Sequence, residues 1–300
     1  MTGARFRTQA ISAGVTFTSP IKTRSPRPSE HRTRLISVRD AESGDSYVSV
    51  SFCVAGTGLP TDVHPLTALV RRWSKHSDLS SDDRSALLSL PFTRTRFGKD
   101  SYMVREGERT TECSLLLRGF AFRQKLLRNG SRQIISIHIP NEFVDLQNSL
   151  LGVADHNVQS LDGSEAAIIP RVALLELADK SPSIRLAMWI DTLVDASIFR
   201  EWVVNVGRRD SRARIAHLLC ELVVRMKKIG LGDGKTFDFP LTQEQLADAT
   251  GLTAVHTNRT LQSLRKDGLI QLSARSLSVL DWERLREVAD FEDLYLHQNL

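Results

Sequence analysis

The stretch LTQEQLADATGLTAVHTNRTLQSLRKDGLI, residues 241–270, decides the fold of the C-terminal third of this 300-residue chain. Thr242 followed three residues later by Gln245 is a capping-box pattern, so a short helix is predicted to start there and bury Leu246 and Ala249. Gly251 ends it, Leu252 plugs the corner, and Thr253 caps a second helix that Gly268 stops just after Lys266 and Asp267. Two helices joined by a tight Gly-containing turn make a helix-turn-helix, a motif whose second helix enters the major groove of DNA.

Advancing about 100° per residue, the second helix turns Thr257, Leu261 and Leu264 toward a core and Val255, Arg259, Gln262 and Lys266 away from it. The outward row is the predicted reading surface. The planar fork of Arg259 matches guanine O6 and N7, whereas Val255 meets a thymine methyl and accepts no hydrogen bond. His256, Asn258 and Ser263 flank the row as candidate phosphate contacts. Thr242, Gln243 and Thr253 at the helix starts, with Arg275 beyond, complete the candidate DNA-contacting set. Residues 269–272 and 277–280 read as strands around 273–276, a hairpin wing suited to rest on the DNA backbone.

Upstream, Asp210 or Ser211 caps an amphipathic support helix that carries Ile215, Leu218, Leu219, Leu222 and Met226 on one face and ends with Lys227, Lys228 and Gly230. Before it, residues 183–206 hold Ile190, Val194, Ile198 and Trp202 in one i+4 row, with Leu186, Leu193 and Val203 widening the apolar surface. Such a helix needs cover from more than one side. Its own domain supplies one cover and a second copy of the helix the other, which makes Ile190, Leu193, Val194 and Ile198 the candidate dimer contacts. Burial within a single chain is the alternative.

Between 92 and 170 the pattern is strand-like, with runs at 92–97, 101–105, 114–117, 120–127 and 133–139. Gly98, Gly107 and Gly119 sit at the breaks, and Asn129-Gly130 predicts a hairpin in which both residues tolerate positive φ. Strands at this spacing predict a small antiparallel, jelly-roll-like β-roll. The expected class is therefore α+β: a roll domain over 64–180, a long helix over 181–207, a winged helix-turn-helix over 208–280, and an acidic helical tail over 281–300. At the front of the roll, Leu66, Leu69, Val70 and Trp73 recur at helical spacing, and Ser80 with Asp83 gives an N-cap. Residues 1–63, rich in Ser, Thr, Arg and Pro, read as mostly disordered apart from an alternating run at 47–54. Their Arg- and Ser-rich character also fits a transit peptide or translation from an upstream start codon.

Composition bounds the function. Hydrophobic residues make up 41% and charged residues 25%, enough for two cores and unlike a wholly disordered or collagen-like chain. No run approaches the roughly 20 apolar residues of a membrane span, and no signal-type apolar segment opens the sequence. Cys53, Cys113 and Cys220 are too scattered for a disulfide framework or a metal clip, so a reducing cytoplasm is the expected location. The formal charge of +5 divides into +4 over 1–50, 0 over 51–207, +5 over 208–275 and −4 over 276–300. One basic block thus lies in a foldable region, and it holds the helix-turn-helix, as phosphate contact requires.

Across about residues 64–280 the combination resembles the Crp/Fnr family of bacterial transcription regulators. The LTQEQLADATGL portion and the helix through Arg259-Thr260-Leu261 are its specific elements, and the roll matches by order and spacing. The resemblance implies a cyclic-nucleotide-binding-like roll, a dimerisation helix at 183–206, and a homodimer reading successive major grooves of a near-palindromic site, with RNA polymerase as a partner. Two departures alter what carries over. The family's acidic reader is replaced by Val255 while Arg259 is retained, so the target should differ at one base. The cassette that binds cyclic nucleotide corresponds to residues 141–146 continuing to 155–157. Residues 133–170 hold no Lys or Arg, but they hold Glu142, Asp145, Asp155, Asp162 and Glu165, which disfavours a phosphate and hence cyclic AMP.

No cysteine cluster for an iron–sulfur centre is present, and no cofactor or named effector is implied. His138 and His156 are possible haem or metal ligands, but two isolated histidines are more often hydrogen-bonded residues, and Cys113 and Cys220 read as buried small hydrophobes. A second function class is a small-molecule-binding module whose winged helix contacts protein. An enzyme is poorly supported, because the sequence lacks nucleophile-elbow, P-loop, zincin and dinucleotide motifs.

Overall fold

The computed structural model describes residues 64–232, 235–273 and 275–298, together with the backbone of 36–39 and 46–49. Strands β1 (Ile36–Arg39) and β2 (Ser46–Ser49) pair antiparallel, with Ile36 opposite Ser49. The remainder of 1–63, on which the expectation of disorder falls, lies outside the described residues.

Helix α1 (Thr67–Trp73) buries Leu69 and Trp73, and α2 (Ser81–Leu88) starts from a capping box in which Asp83 N donates to Ser80 Oγ at 3.1 Å and Ser80 N to Asp83 Oδ2 at 3.0 Å. The roll follows as β3 (Thr93–Phe97), β4 (Tyr102–Val104), β5 (Glu112–Arg118), β6 (Ala121–Leu126), β7 (Arg132–His138), a short helix α3 (Asn148–Leu151), β8 (Asn157–Ser160) and β9 (Ser164–Pro170). Its two antiparallel sheets have the orders β3-β9-β5 and β4-β8-β6-β7. Strand β5 is buried on both faces because successive side chains point opposite ways. Leu116 joins Val104, Ala121, Val144 and Val158 within the roll, while Leu115 and Leu117 join Leu69, Trp73 and Ile169 in a second cluster.

The 129–130 hairpin forms, but not as a two-residue turn. Leu126 pairs with Arg132, leaving a five-residue loop in which Gly130 takes positive φ (84°) and Asn129 does not. The Asn129 side chain instead accepts from Ser131 N at 3.0 Å, an Asx-type turn that the longer loop permits.

Helix α4 (Arg171–Lys180) leads into α5 (Pro182–Arg208), which is capped by Ser181 and has proline at its first position. Helix α6 (Ser211–Lys228) is capped by Asp210, which accepts from Arg212 N and Ala213 N at 2.9 and 2.8 Å. Then come β10 (Thr236–Asp238), α7 (Gln243–Thr250), α8 (Ala254–Lys266), β11 (Ile270–Ser273), β12 (Ser276–Val279) and α9 (Trp282–Ala289). The wing sheet has the order β10-β12-β11. The acidic C-terminal segment is helical in α9 but is not a loose tail. Leu285, Ala289, Phe291 and Leu296 are buried, and Tyr295 donates its hydroxyl to Glu221 of α6 at 3.0 Å. A single apolar cluster runs from Phe122, Ile134 and Ile137 of the roll through α5 and α6 to Leu261 and Leu264 of α8.

Candidate DNA-binding site

Sequence-local chemistry builds the reading helix. Thr242 Oγ1 accepts from Gln245 N at 3.1 Å, and Gln245 Oε1 accepts from Thr242 N at 2.9 Å. Gly251 closes α7 at φ 64°, a left-handed conformation that glycine adopts without steric cost. Thr253 then caps α8 by accepting from His256 N at 3.2 Å. With both ends fixed, Thr257, Leu261 and Leu264 are buried and Val255, Arg259, Gln262 and Lys266 are exposed, as the helical period predicts. Arg259 makes no hydrogen bond or ion pair with a described residue, so its five donors remain available. Thr242, Gln243, Thr253 and His256 are exposed as well, and Asn258 is half-buried.

Three candidate contacts are already engaged by residues of other elements. Ser263 is held by Arg212 of α6, whose other nitrogen reaches Asp267 at 2.5 Å. Arg275, in the wing, pairs with Asp162 of the roll. His256 Nε2 lies 3.0 Å from Ser211 Oγ. Arg212 was not singled out in the sequence, because nothing local links it to residues some fifty positions away; the position of α6 against α8 creates the contact. The start of α6 and the outer side of α8 border a cleft of about 450 Å³, with Arg212, Arg259 and His256 among its walls. Helix starts and guanidiniums around one open cleft suit a sugar-phosphate backbone.

Helix α5 has two apolar faces. Val194 and Ile198, 8% and 9% exposed, point into the chain's own core, and Ile190 packs partly against it. Of the four residues expected to meet a second copy, Leu193 alone lies outward, at 63% exposure. Its exposed apolar neighbours on α5 are Leu186, Trp189, Phe199, Val203 and Val204. An i+4 row gives no indication of which side faces the chain's own roll, and the expectation selected the inner row.

Residues 213–288 match the family description of a Crp-like helix-turn-helix domain, and residues 94–181 that of a cyclic nucleotide-binding domain. The chain belongs to the Crp/Fnr family. It is 26% identical over 213 residues to the transcriptional activator protein FnrL of Cereibacter sphaeroides, covering 70% of this chain and 85% of that one. It is 27% identical over 199 residues to the transcriptional activatory protein AadR of Rhodopseudomonas palustris, covering 65% and 80%. The structure of FixK2 from Bradyrhizobium japonicum superposes with a TM-score of 0.61 at 21% identity, covering 66% of this chain and 98% of that one. The protein is thus a DNA-binding transcription regulator of the Crp/Fnr type, with a roll, a long helix and a C-terminal winged helix-turn-helix.

Where a Crp/Fnr roll faces its long helix, this chain has filled the space with charge. The 133–170 segment lacks cations in sequence, but the fold brings in three arginines from elsewhere. Arg72 of α1 grips Asp191 at 2.6 Å, Arg123 of β6 pairs with Asp195 at 2.9 Å, and Arg225 of α6 bridges Glu142 at 2.7 Å and Glu221 at 2.8 Å. Burial opposes ionisation of Glu142, yet Arg225, His138 and Arg72 outweigh it and hold the carboxyl well below its ordinary range. What remains is a cavity of about 20 Å³, room for a water molecule rather than a nucleotide. His138 is buried there, and that burial lowers its affinity for a second proton against the pull of Glu142 and Asp195. His156 is pushed down to about 4 by burial and the field of Arg123, with Asp155 at 2.6 Å from its ring. Among the described residues no group of three or more His, Cys, Asp or Glu is placed to hold a metal ion. Cys113 and Cys220 are both buried, and burial pushes the Cys220 thiol up to about 12. No described helix is long and apolar enough to cross a membrane.

Proposed function

We propose that the protein acts as a homodimer that reads a near-palindromic DNA site with its two α8 helices and contacts RNA polymerase in the cytoplasm, without cyclic AMP as effector. The observation that carries the reading is the free, outward Arg259 in one row with Val255, Gln262 and Lys266, above a fully seated core face. The outer face of α5, centred on Leu193, supplies the seam, and a two-fold seam sets two recognition helices one helical turn of DNA apart. Thr242, Gln243, Thr253, His256 and Asn258 are the proposed backbone contacts. Ser263, Arg275 and His256 have partners on other elements and must exchange them to touch DNA.

Two considerations oppose cyclic AMP. Its phosphate would have to displace Asp191, Asp195 or Glu142 from an arginine that each already holds, and its volume far exceeds the cavity. FnrL and AadR are described as transcriptional activators, which favours activation over repression. Footprinting the purified protein across a genomic fragment library tests the reading. A symmetric protected site, bound with steep salt dependence and unaffected by cyclic AMP, supports it. Weak, salt-insensitive association without a footprint supports a protein-contact module instead.

A further inference from the structure

Helix α7, the first helix of the helix-turn-helix, is docked on the roll of its own chain. Strand β7 ends the β4-β8-β6-β7 sheet, and α7 packs against it. The floor of this contact is apolar, with Ile134 and Ile137 of β7 in one cluster with Leu246 and Ala249 of α7. At its rim, Nε and Nη2 of Arg132 both lie 2.6 Å from Asp248 Oδ2, and the two side chains are only 26% and 23% exposed. The Arg132 guanidinium also stands 5.6 Å from the centre of the Phe122 ring, and Gln133 Nε2 lies 3.5 Å from the Ala249 carbonyl oxygen. The grip is therefore on the last turn of α7, where carbonyls lack partners within the helix and a cation is favoured. The first turn, with Gln243 after its Thr242 cap, stays exposed.

The covalent path from α5 to the reading helix is jointed. Between α5 and α6 stand only Arg209 and Asp210, both in extended conformation. Asn205 Nδ2 donates to Arg214 O at 3.1 Å and Arg209 pairs with Glu201 at 2.7 Å, so this joint is held close to its pivot. A body held only at its pivot can still swing. The Arg132–Asp248 contact removes that freedom by tying α7 itself to the roll. On DNA the freedom matters, because one added base pair between half-sites shifts the second half by about 3.4 Å along the axis and turns it by about 35°. A head tied at both the joint and α7 follows that displacement only by giving up a contact.

We propose that Arg132 and Asp248 are positioning residues that fix the spacing between the two half-sites, a selectivity separate from the base reading of α8. The proposal rests on the homodimer reading a near-palindromic site, since spacing has a meaning only for two heads joined by a seam. Arg132 acts through Asp248 and the last turn of α7 rather than through a base. An off-spaced site is bound only when at least one head leaves its clamp, so the strength of the clamp enters directly into the discrimination. A partly exposed ion pair of this kind gives about threefold per head, and about tenfold where both heads must move.

The test measures binding of the full chain, by fluorescence anisotropy at fixed salt, to duplexes that carry the two half-sites recovered by randomised-site selection on the wild type. The half-sites are set at the recovered spacing, one base pair closer and one base pair further apart. A loss of stability or a change of net charge alters all three affinities together and leaves their ratio unchanged. The wild type should favour one spacing. Arg132→Ala and Asp248→Asn should each reduce that preference by about threefold to tenfold while keeping the same base preferences within each half-site. The reversed pair Arg132→Asp/Asp248→Arg should restore it. A spacing preference that both single variants retain in full overturns the proposal, as does a wild type that binds all three paired sites alike but a lone half-site far more weakly. Equal affinity for a lone half-site and for any pair contradicts the homodimer, and the spacing role falls with it.

Discussion

Leu193→Asp separates the outer face of α5 from the inner one. Leu193 is 63% exposed in the single chain, and full burial of a leucine side chain stabilises by about 1.5–3 kcal/mol, so seating its exposed part in a seam contributes about 1–2 kcal/mol. Two-fold symmetry doubles this to about 2–4 kcal/mol per dimer, before counting the cost of desolvating two facing carboxylates. The dimer dissociation constant should therefore rise by at least about 30- to 1,000-fold. Sedimentation equilibrium at micromolar concentration should report monomers with an unchanged circular dichroism spectrum. Val194→Ala, on the buried inner face, should lower the melting temperature and leave association intact. A Leu193→Asp variant that stays dimeric, or a Val194→Ala variant that becomes a folded monomer, would refute the assignment of faces.

Arg225→Met leaves Glu221 buried without its cation and Glu142 with Arg72 alone, and should cost about 3–5 kcal/mol in urea unfolding, with part of the loss recovered in the Arg225→Met/Glu221→Leu double variant. Asp145 accepts from Ser114 N at 2.7 Å, and burial pushes its carboxyl up to about 7. Its unfolded value is about 3.9, so the stabilisation of the protonated form is complete below that and is lost as pH rises toward 7. Unfolding the wild type and Asp145→Asn at pH 5 and pH 8 should reveal a larger loss at pH 8 in the wild type; equal losses would remove Asp145 as the cause. Lys266→Ala should weaken all DNA sequences alike and lower the salt slope by about 1 per half-site, measured by fluorescence anisotropy across chloride concentrations.

What was legible in the sequence is what is encoded within a few residues. The Thr242–Gln245 box, Gly251, the Thr253 cap and the inward row Thr257, Leu261 and Leu264 all fall where the pattern puts them, because caps and helical period act over one or two turns. Contacts that depend on how elements dock were not legible. The cation-poor 133–170 segment suggested an acidic, unpaired cassette, whereas Arg225 and Arg72 reach Glu142, Arg94 reaches Glu165 and Arg275 reaches Asp162, all from other elements. The acidic composition after residue 281 hid the apolar stripe of Leu285, Ala289, Phe291 and Leu296, whose acids simply face outward. For α5, apolar residues on both sides carried the need for two covers but not which cover lay where.

Base reading by Arg259 is tested most directly by randomised-site selection on the wild type, Arg259→Ala and Val255→Glu. The wild type should return a symmetric site with a fixed guanine in each half. Arg259→Ala should lose that guanine preference, a discrimination of about 1–3 kcal/mol per bidentate contact, while Val255→Glu should gain a cytosine nearby, since a carboxylate accepts from its amino group. Identical site preferences for all three proteins would mean that the exposed row of α8 does not face the bases.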